Sequence, residues 1–559
     1  MKKIQKLGAV ALAAICCAGV FAFPACSKQG EQVDETKTQL HVGTFSGGVG
    51  YSWLENVEKR FEQDYANVSF EPGKTGVQVW IDPQSSYSGI ALSQTMKTNQ
   101  NAVFFVEQVY YTQMAKSGNL LEITDIVQST DREGGSLESN ILDWQLDELK
   151  VNGKYYALPH YQSFTGVVYD VDLFEKEALY LSADPDNGNG GFVWDREEER
   201  SLGPDGKTGV DPETGYDYSA DDGFPATYDE LKALFYYMED EKDITPFIFP
   251  GQHKTYLARL FKGVAEAYNG DLGMRVQATF DSNGKQLDIV TGFDNNGDPI
   301  IEQKVITPET GYLVRQLAGN YYALDIVEHV LDNEDYYTKS SRQGSSSQTD
   351  AEEEYIYSSL EGEPIAFLLE GSYWESEARE KFTQSVMDIG AKAENRNFAF
   401  FPFPQGGNGT TMTDSASAYS FINARIKDDT NLVNTAKEFL AYCYQEQELV
   451  EFTKETGVSI GVQYELGDVY NELTNFQQSC WDSSRGMGYS ALVSSNPTYT
   501  TSQAKFALLS NSNYYDVVID SEPYKTMYAA MKENGKTAAQ YFQAMWIDSG
   551  TWTGTYYKQ

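Results

Sequence analysis

The stretch NGKYYALPHYQSFTGVVYDVDLFEK, residues 152 to 176, decides how the rest of the chain is read. A tight Asn152-Gly153 turn leads into Tyr155, Tyr156, Ala157 and Leu158. Pro159 then interrupts the run, and after His160, Tyr161 and Gln162 the apolar pattern resumes at Phe164, Val167, Val168 and Tyr169. Proline has no backbone N–H and is poorly tolerated inside a central strand. The break therefore predicts that the backbone leaves one sheet here and enters another, with the polar trio in the gap.

A chain of 559 residues exceeds what one hydrophobic core normally covers, so two or more lobes are expected. The formal charge of -40 repels phosphate backbones and anionic headgroups, which argues against nucleic acid as a partner and reads mainly as solubility. At the N-terminus, Lys2, Lys3 and Lys6 precede an apolar run from Leu7 to Phe23 and then Ala25-Cys26. This predicts a signal peptide over residues 1–25. A small residue directly before cysteine resembles the lipobox of bacterial lipoproteins, which makes Cys26 the lipidation site and residues 26–38 a polar tether. The expected location is the cell membrane, lipid-anchored and facing outside. Cys443 and Cys480 are then the only other cysteines of the mature chain, too few for a disulfide framework, and Cys443 reads as a buried inert thiol.

Leu40 and Val42 alternate as a strand, and Leu54, Val57, Phe61 and Tyr65 follow at helical spacing. A further apolar run from Ala102 to Val106 precedes a helix over Tyr110 to Ser117, stopped by Gly118. Strands alternating with helices predict α/β lobes with largely parallel sheets. Residues 183–223, rich in Asp, Gly and Asn, read as a long loop insertion. Thr227 to Glu230 form a capping box. The segments around Asp281 to Gly284 and Asp294 to Gly297 read as hairpins, Ser340 to Glu354 as a mobile surface loop, and Leu432 to Lys454 as one long helix.

The sequence offers little reactive chemistry. The four histidines are not paired at ligand spacing, which argues against zinc. Gly206-Lys207-Thr208 lacks the first glycine of a phosphate loop, since Ser201 stands there. Gly457-Val458-Ser459-Ile460-Gly461 fits G-x-S-x-G but follows a helix instead of a strand, so Gly457 reads as a helix C-cap. No cofactor is expected. The one metal hypothesis is structural Ca2+ in the insertion over 184–222, from Asp184, Asp186, Asn187 and Asn189, against the plainer reading of a solvated acidic loop. Among 82 acidic residues no carboxylate pair is singled out for glycoside hydrolysis. Aromatics beside turns and helix starts are more telling: Trp53, Tyr110, Tyr161, Tyr373 and Trp374 neighbour Glu107, Gln108, Gln162 and Glu375. Aromatic faces flanked by hydrogen-bonding groups are what a sugar requires.

Several motifs recur in a telling order along the chain. GYSWLENVEKRFEQDY near the start, AKSGNLLEITD at 115 to 125 and NGKYYALPHYQSFTGVVYDVDLFEK are followed by FPATYDELKALF at 224 to 235. GEPIAFLLEGSYWESE at 362 to 377, FAFFPFPQGG at 398 to 407 and NTAKEFLAYCYQEQELVEFTKETG at 434 to 457 close the series. In this order the chain resembles bacterial extracellular solute-binding proteins of the sugar-binding, maltose-binding-like class that serve ABC importers. The resemblance implies an α/β, two-lobed periplasmic-binding-protein-like fold of type II, with the ligand in a cleft between lobes joined by hinge strands. It divides the chain into an N-lobe over 39–158 and 417–470, a C-lobe over 159–416, and a C-terminal helical part over 471–559 that completes both. Leu158 to Gln162 becomes the first crossing, a second falls near Ala416 to Tyr419, and His160, Tyr161 and Gln162 face the cleft. The family's cleft aromatic corresponds to Tyr373 or Trp374, whereas Gly48 and Val49 stand where the family carries a polar pair. The candidate ligand contacts are Tyr51, Trp53, Glu107, Gln108, Tyr110, His160, Tyr161, Gln162, Gln252, His253, Tyr373, Trp374 and Trp481. The implied protein is a monomeric, non-enzymatic receptor with a carbohydrate ligand and ABC permease subunits as partners; a glycan hydrolase or a surface glycan binder without a transporter are the competing readings.

Overall fold

The computed structural model describes residues 32–557 apart from 90, 131–134, 143, 144, 147, 148, 183–191, 194–199, 205, 211, 213–217, 390–395, 402, 405–410, 415–417, 487 and 492–516. The lipidation site at Cys26 and the calcium hypothesis at Asp184 to Asn189 lie outside the described residues.

The strands that build the two main sheets are β1 (Thr38–Phe45), β2 (Val77–Gln84), β3 (Val103–Val106), β4 (Leu158–Pro159), β5 (Thr165–Asp170), β6 (Thr245–Ile248), β7 (Ile365–Gly371), β8 (Phe398–Phe401) and β9 (Tyr419–Ile422). The N-lobe sheet has the order β2-β1-β3-β9-β4, with β1 parallel to β2 and β3, and β9 antiparallel to β3 and β4. The C-lobe sheet has the order β6-β7-β5-β8, with β5 antiparallel to both neighbours. This accounts for Pro159. It sits on β4, the edge strand of the N-lobe sheet, where a missing N–H is tolerated, and six residues later the chain enters the middle of the other sheet at Thr165.

Three segments pass side by side through this junction. His160 N–H donates to Ala418 O at 2.9 Å and Gln162 N–H to Ser459 O at 2.8 Å, so the crossing is stitched to the chain leading into β9 and to the loop after residue 457. Each lobe has its own apolar core. The N-lobe core draws on residues between Leu40 and Tyr161 and again from Ala418 to Leu473, and the C-lobe core on residues from Phe164 to Phe403 with Val517 to Met545 returning to it.

Five helices supply side chains to these cores and to the junction: α1 (Ser52–Asp64), α2 (Leu257–Thr279), α3 (Gln348–Glu361), α4 (Thr430–Tyr442) and α5 (Glu446–Thr456). On α1, Trp53, Leu54, Val57 and Phe61 recur at helical spacing and are all buried, which is why this segment is a helix packed on the sheet. The capping box at Thr227 is present. Where Ser340 to Glu354 was expected to be a mobile loop, two helices stand, Lys339–Gln343 and α3. Ser347 and Asp350 cap α3 reciprocally, and Ala351, Tyr355 and Ile356 bury its inner face, a signal masked by the serine-rich and acidic composition. The expected single helix over Leu432 to Lys454 is two, α4 and α5, separated at Cys443 to Gln445, and Gly457 does cap α5 in the left-handed region at φ 73°. Only the second expected hairpin is one, Gln286–Phe293 against Pro299–Val305; the Asp281 to Gly284 segment is a turn closed by Lys285 N–H on Ser282 O at 3.0 Å. Cys443 and Cys480 are buried and unpaired with each other, and burial pushes both thiols up. Among the described residues no helix is long and apolar enough to cross a membrane.

Candidate functional site

The N-lobe wall of the junction is built at the C-terminal ends of β1 and β3. Glu107 follows β3 and is 6% exposed, and Tyr161 O–H donates to its carboxylate. The loop after β1 must pass directly beneath this pair. A Cβ on Gly48 would lie 2.8 Å from the Tyr161 hydroxyl and 3.7 Å from a Glu107 oxygen, and the residue has φ +58°, so glycine is needed twice over. That is the physical reason for Gly48 where the resembling family carries a polar residue. Gln108 is exposed, with φ 57°, and Tyr51 is half-buried at the start of α1.

The C-lobe wall comes from the end of β7 and the first turn of α2. Gly371 is followed closely by Tyr373, whose O–H donates to Glu370 Oε1 at 3.0 Å, while the Arg259 guanidinium donates to both Glu370 and the Tyr373 oxygen. The guanidinium also lies over the Tyr256 ring at 4.2 Å and beside the Tyr373 ring at 5.6 Å. Glu370 is 1% exposed and takes a further N–H from Gly371 at 3.1 Å, so its charge is held by one cation and two hydrogen-bond donors. Burial, then the neighbouring Glu370, pushes the Tyr373 phenol up.

The two walls meet. Tyr373, a C-lobe residue, packs against the N-lobe apolar cluster. Burial pushes the Glu377 carboxyl up, Glu370 adds to this, Arg259 opposes it, and Glu107 of the opposite lobe raises it further. An aromatic face, a half-buried arginine and carboxylates from both lobes are thus gathered where the three segments cross.

Of the residues expected from sequence, Tyr161, Glu107 and Tyr373 are brought together here, and Gln108 and Tyr51 flank them in the chain. Others go elsewhere. The expectation that His160 faces the cleft is corrected: its ring is enclosed by Trp53, Phe105, Tyr161 and Phe452 at 5.2 to 5.5 Å, and burial pushes the imidazole down to about 3. Trp53 belongs to the same N-lobe cluster, its indole N–H donating to Gly50 O at 3.2 Å. Gln162, 1% exposed, accepts from the Ser459 hydroxyl at 2.9 Å and serves the hinge. Trp374 is 0% exposed within the C-lobe core, ringed by Tyr355, Phe382, Phe398 and Phe476, so Tyr373 and not Trp374 is the aromatic at the junction. Trp481 packs edge-on against Tyr464 in the N-lobe core. Tyr110 lines a separate 280 Å³ cavity with Gln94, Lys97, Gln113 and Asn119. Gln252 and His253 are exposed, the former tied to Ser345 and Ser346. Sequence reasoning missed Arg259, Tyr256, Glu370 and Glu377. Glu370 could have been found, since it immediately precedes the Gly371-Ser372-Tyr373 turn; nothing local marks Arg259.

The chain is similar to a chitin oligosaccharide binding protein, with a TM-score of 0.54 at 14% identity over 93% of this chain and 98% of that one. The fold is that of the two-lobed solute-binding proteins. It is similar also to the solute-binding protein RafE in complex with raffinose (TM-score 0.52, 13% identity, 90% of this chain and 98% of that one). Maltose-bound MalE3 of T. maritima gives a TM-score of 0.51 at 13% identity over 92% of this chain and 99% of that one. No protein-family model matches the chain, and no curated protein matches its sequence. The junction of the three crossing segments is where the sequence predicts the cleft between the lobes.

Proposed function

We propose that the chain is a non-enzymatic receptor that captures an oligosaccharide by closure of its two lobes and delivers it to the permease of an ABC importer, tethered outside the cell through Cys26. The observation that carries this reading is the placement of Tyr373, Arg259 and Glu370 on one lobe opposite Tyr161 and Glu107 on the other. A sugar offers a C–H face for the ring and hydroxyls that donate to carboxylates and accept from a guanidinium. Contacts to both lobes exist only in the closed state, which is the differential affinity that makes closure ligand-driven. The neighbours with raffinose and maltose bound support the substrate class.

Binding is favoured over hydrolysis because Glu107 and Glu370, one from each lobe, are already committed. Glu107 accepts from Tyr161, and Glu370 is ion-paired to Arg259, so each oxygen that would have to meet a glycosidic oxygen already has a protein partner. Titration calorimetry of the purified chain with maltotriose, raffinose and chitotriose, with chromatography of the same mixtures, tests the proposal. Saturable binding without new products is expected; turnover of any of the sugars overturns it.

A further inference from the structure

Behind Tyr373 three carboxylates converge that the sugar reading does not use as a set. Glu352 comes from the first turns of α3, Glu370 from the end of β7, and Glu377 from the helical turn after Tyr373. One carboxylate oxygen of each lies within 4.8 Å of the other two. Glu370 has its ion pair with Arg259. Glu352, by contrast, is 1% exposed, and neither of its oxygens has a hydrogen-bond partner; Oε2 of Glu377 is likewise buried and unpartnered. The Gln348 side chain, one turn earlier on α3, lies beside both Glu352 and Glu377 and favours the ionised form of each.

We propose that Glu352, Glu370 and Glu377 form a divalent-cation site, suited to Ca2+, that braces the C-lobe wall of the cleft. The donor set is oxygen only, which selects a hard cation over zinc or copper. Three carboxylates and one guanidinium leave a formal charge of -2, the amount one divalent ion balances. A buried carboxylate without a partner is costly, and coordination removes that cost where hydrogen bonds do not. Mg2+ usually keeps several waters instead of being held by an all-protein oxygen cage, so a set of largely buried carboxylates suits Ca2+ better. Gln348 is placed to turn its amide oxygen toward the ion as a further ligand. The site is too deep for a sugar hydroxyl to reach Glu352, so the ion is held independently of the oligosaccharide.

The test uses the purified chain stripped with EDTA and titrated with CaCl2, and in parallel MgCl2, by calorimetry and thermal melting. One saturable Ca2+ site is expected, with a rise in melting temperature that EDTA reverses. Glu352→Gln should weaken Ca2+ binding by about tenfold or more. In EDTA the same variant should melt no lower than the parent chain, because it replaces an unpartnered buried carboxyl group by a neutral amide of the same shape. Glu377→Gln, at a half-buried position, repeats the test should the first variant fail to fold. Asp184→Asn with Asp186→Asn should leave the titration unchanged, which separates this site from the acidic insertion. Absence of heat and of any melting shift in millimolar Ca2+, or Ca2+ binding that survives both glutamate substitutions, overturns the proposal. Oligosaccharide titrations in EDTA judge the receptor reading separately.

Discussion

Tyr373 and Trp374 are adjacent, yet the structure assigns them opposite roles, and truncating each to alanine separates the roles. Trp374 is 0% exposed with four aromatic rings within 6.1 Å of its centroid, so Trp374→Ala opens a core cavity and should cost about 3 to 5 kcal/mol of stability. Tyr373 stands at the lobe junction. Its hydroxyl shares Glu370 with Arg259, so Tyr373→Ala leaves the Arg259–Glu370 ion pair in place and removes mainly the ring and the two hydrogen bonds of its hydroxyl. The expected loss is about 1 to 3 kcal/mol of sugar binding, or roughly 5- to 150-fold in dissociation constant. Its melting temperature should fall far less than that of Trp374→Ala. Calorimetric titration with the best-binding oligosaccharide and thermal melts on both variants decide the matter. If folded Trp374→Ala protein loses affinity while Tyr373→Ala binds normally, the assignment of the cleft aromatic is refuted.

His160 supplies a pH dependence. Its imidazole is pushed down to about 3 by burial, so between about 6.5 and 3 the unfolded chain binds a proton that the folded one does not. Stability therefore falls as pH falls through this window, by about 2 kcal/mol at pH 5, and urea melts of His160→Phe should show a shallower acid slope than the parent; an unchanged slope contradicts the burial argument. Arg396 pairs with Asp170 at 2.6 Å, at 6% and 3% side-chain exposure. Removing the cation in Arg396→Met strands the buried carboxylate and should cost about 3 to 5 kcal/mol, read as a drop in the urea midpoint, with no change in sugar affinity for the folded fraction. Cys26→Ser should release the protein to the medium or leave its precursor uncleaved, and unaltered membrane fractionation would show the anchor to lie elsewhere.

How much of the fold and the cleft was legible in the sequence depends on how local the signal was. Pro159 announced the crossing because the loss of one N–H has a strict consequence, the edge of a sheet. The apolar face of α1 and the cap at Gly457 were equally local. The cleft was only half legible. Tyr373 and Trp374 share one motif, and which of two neighbours turns inward is set by Phe398 and Phe476, distant in sequence, so spacing alone could not choose. His160 and Trp53 read as separate polar and aromatic positions, and they became one cluster with Phe452 only when three remote segments packed together. Arg259 lies 111 residues before Glu370, on a helix whose pattern gives it no distinction. Composition misled once, at α3, where serines and glutamates suggested a mobile loop although Tyr355 and Ile356 anchor the helix in the core.

The balance of charge at the junction makes one more demand on the ligand. Glu107 stands on one lobe and Glu352, Glu370 and Glu377 on the other, with Arg259 paired to Glu370, so these groups sum to a formal -3, and to -1 with the proposed Ca2+ in place. Glu107 of one lobe raises the carboxyl of Glu377 on the other, a like-charge approach across the junction. Under the proposed function a neutral sugar adds no charge to this group and donates hydroxyl hydrogens to it. A uronate adds a further negative charge to a group that is already net negative, and two unit charges about 4 Å apart repel by roughly 1 kcal/mol in water and roughly 4 kcal/mol near a protein surface. Neutral oligosaccharides should therefore bind about tenfold or more tighter than uronates of the same length, a gap that narrows with added salt to the extent that the cleft is solvated. Competition titrations at low and high ionic strength measure it. A uronate that binds as tightly as its neutral counterpart at low salt would mean that the ligand draws Arg259 away from Glu370 and uses it as a carboxylate clamp, and the cleft would then be one that selects acidic sugars.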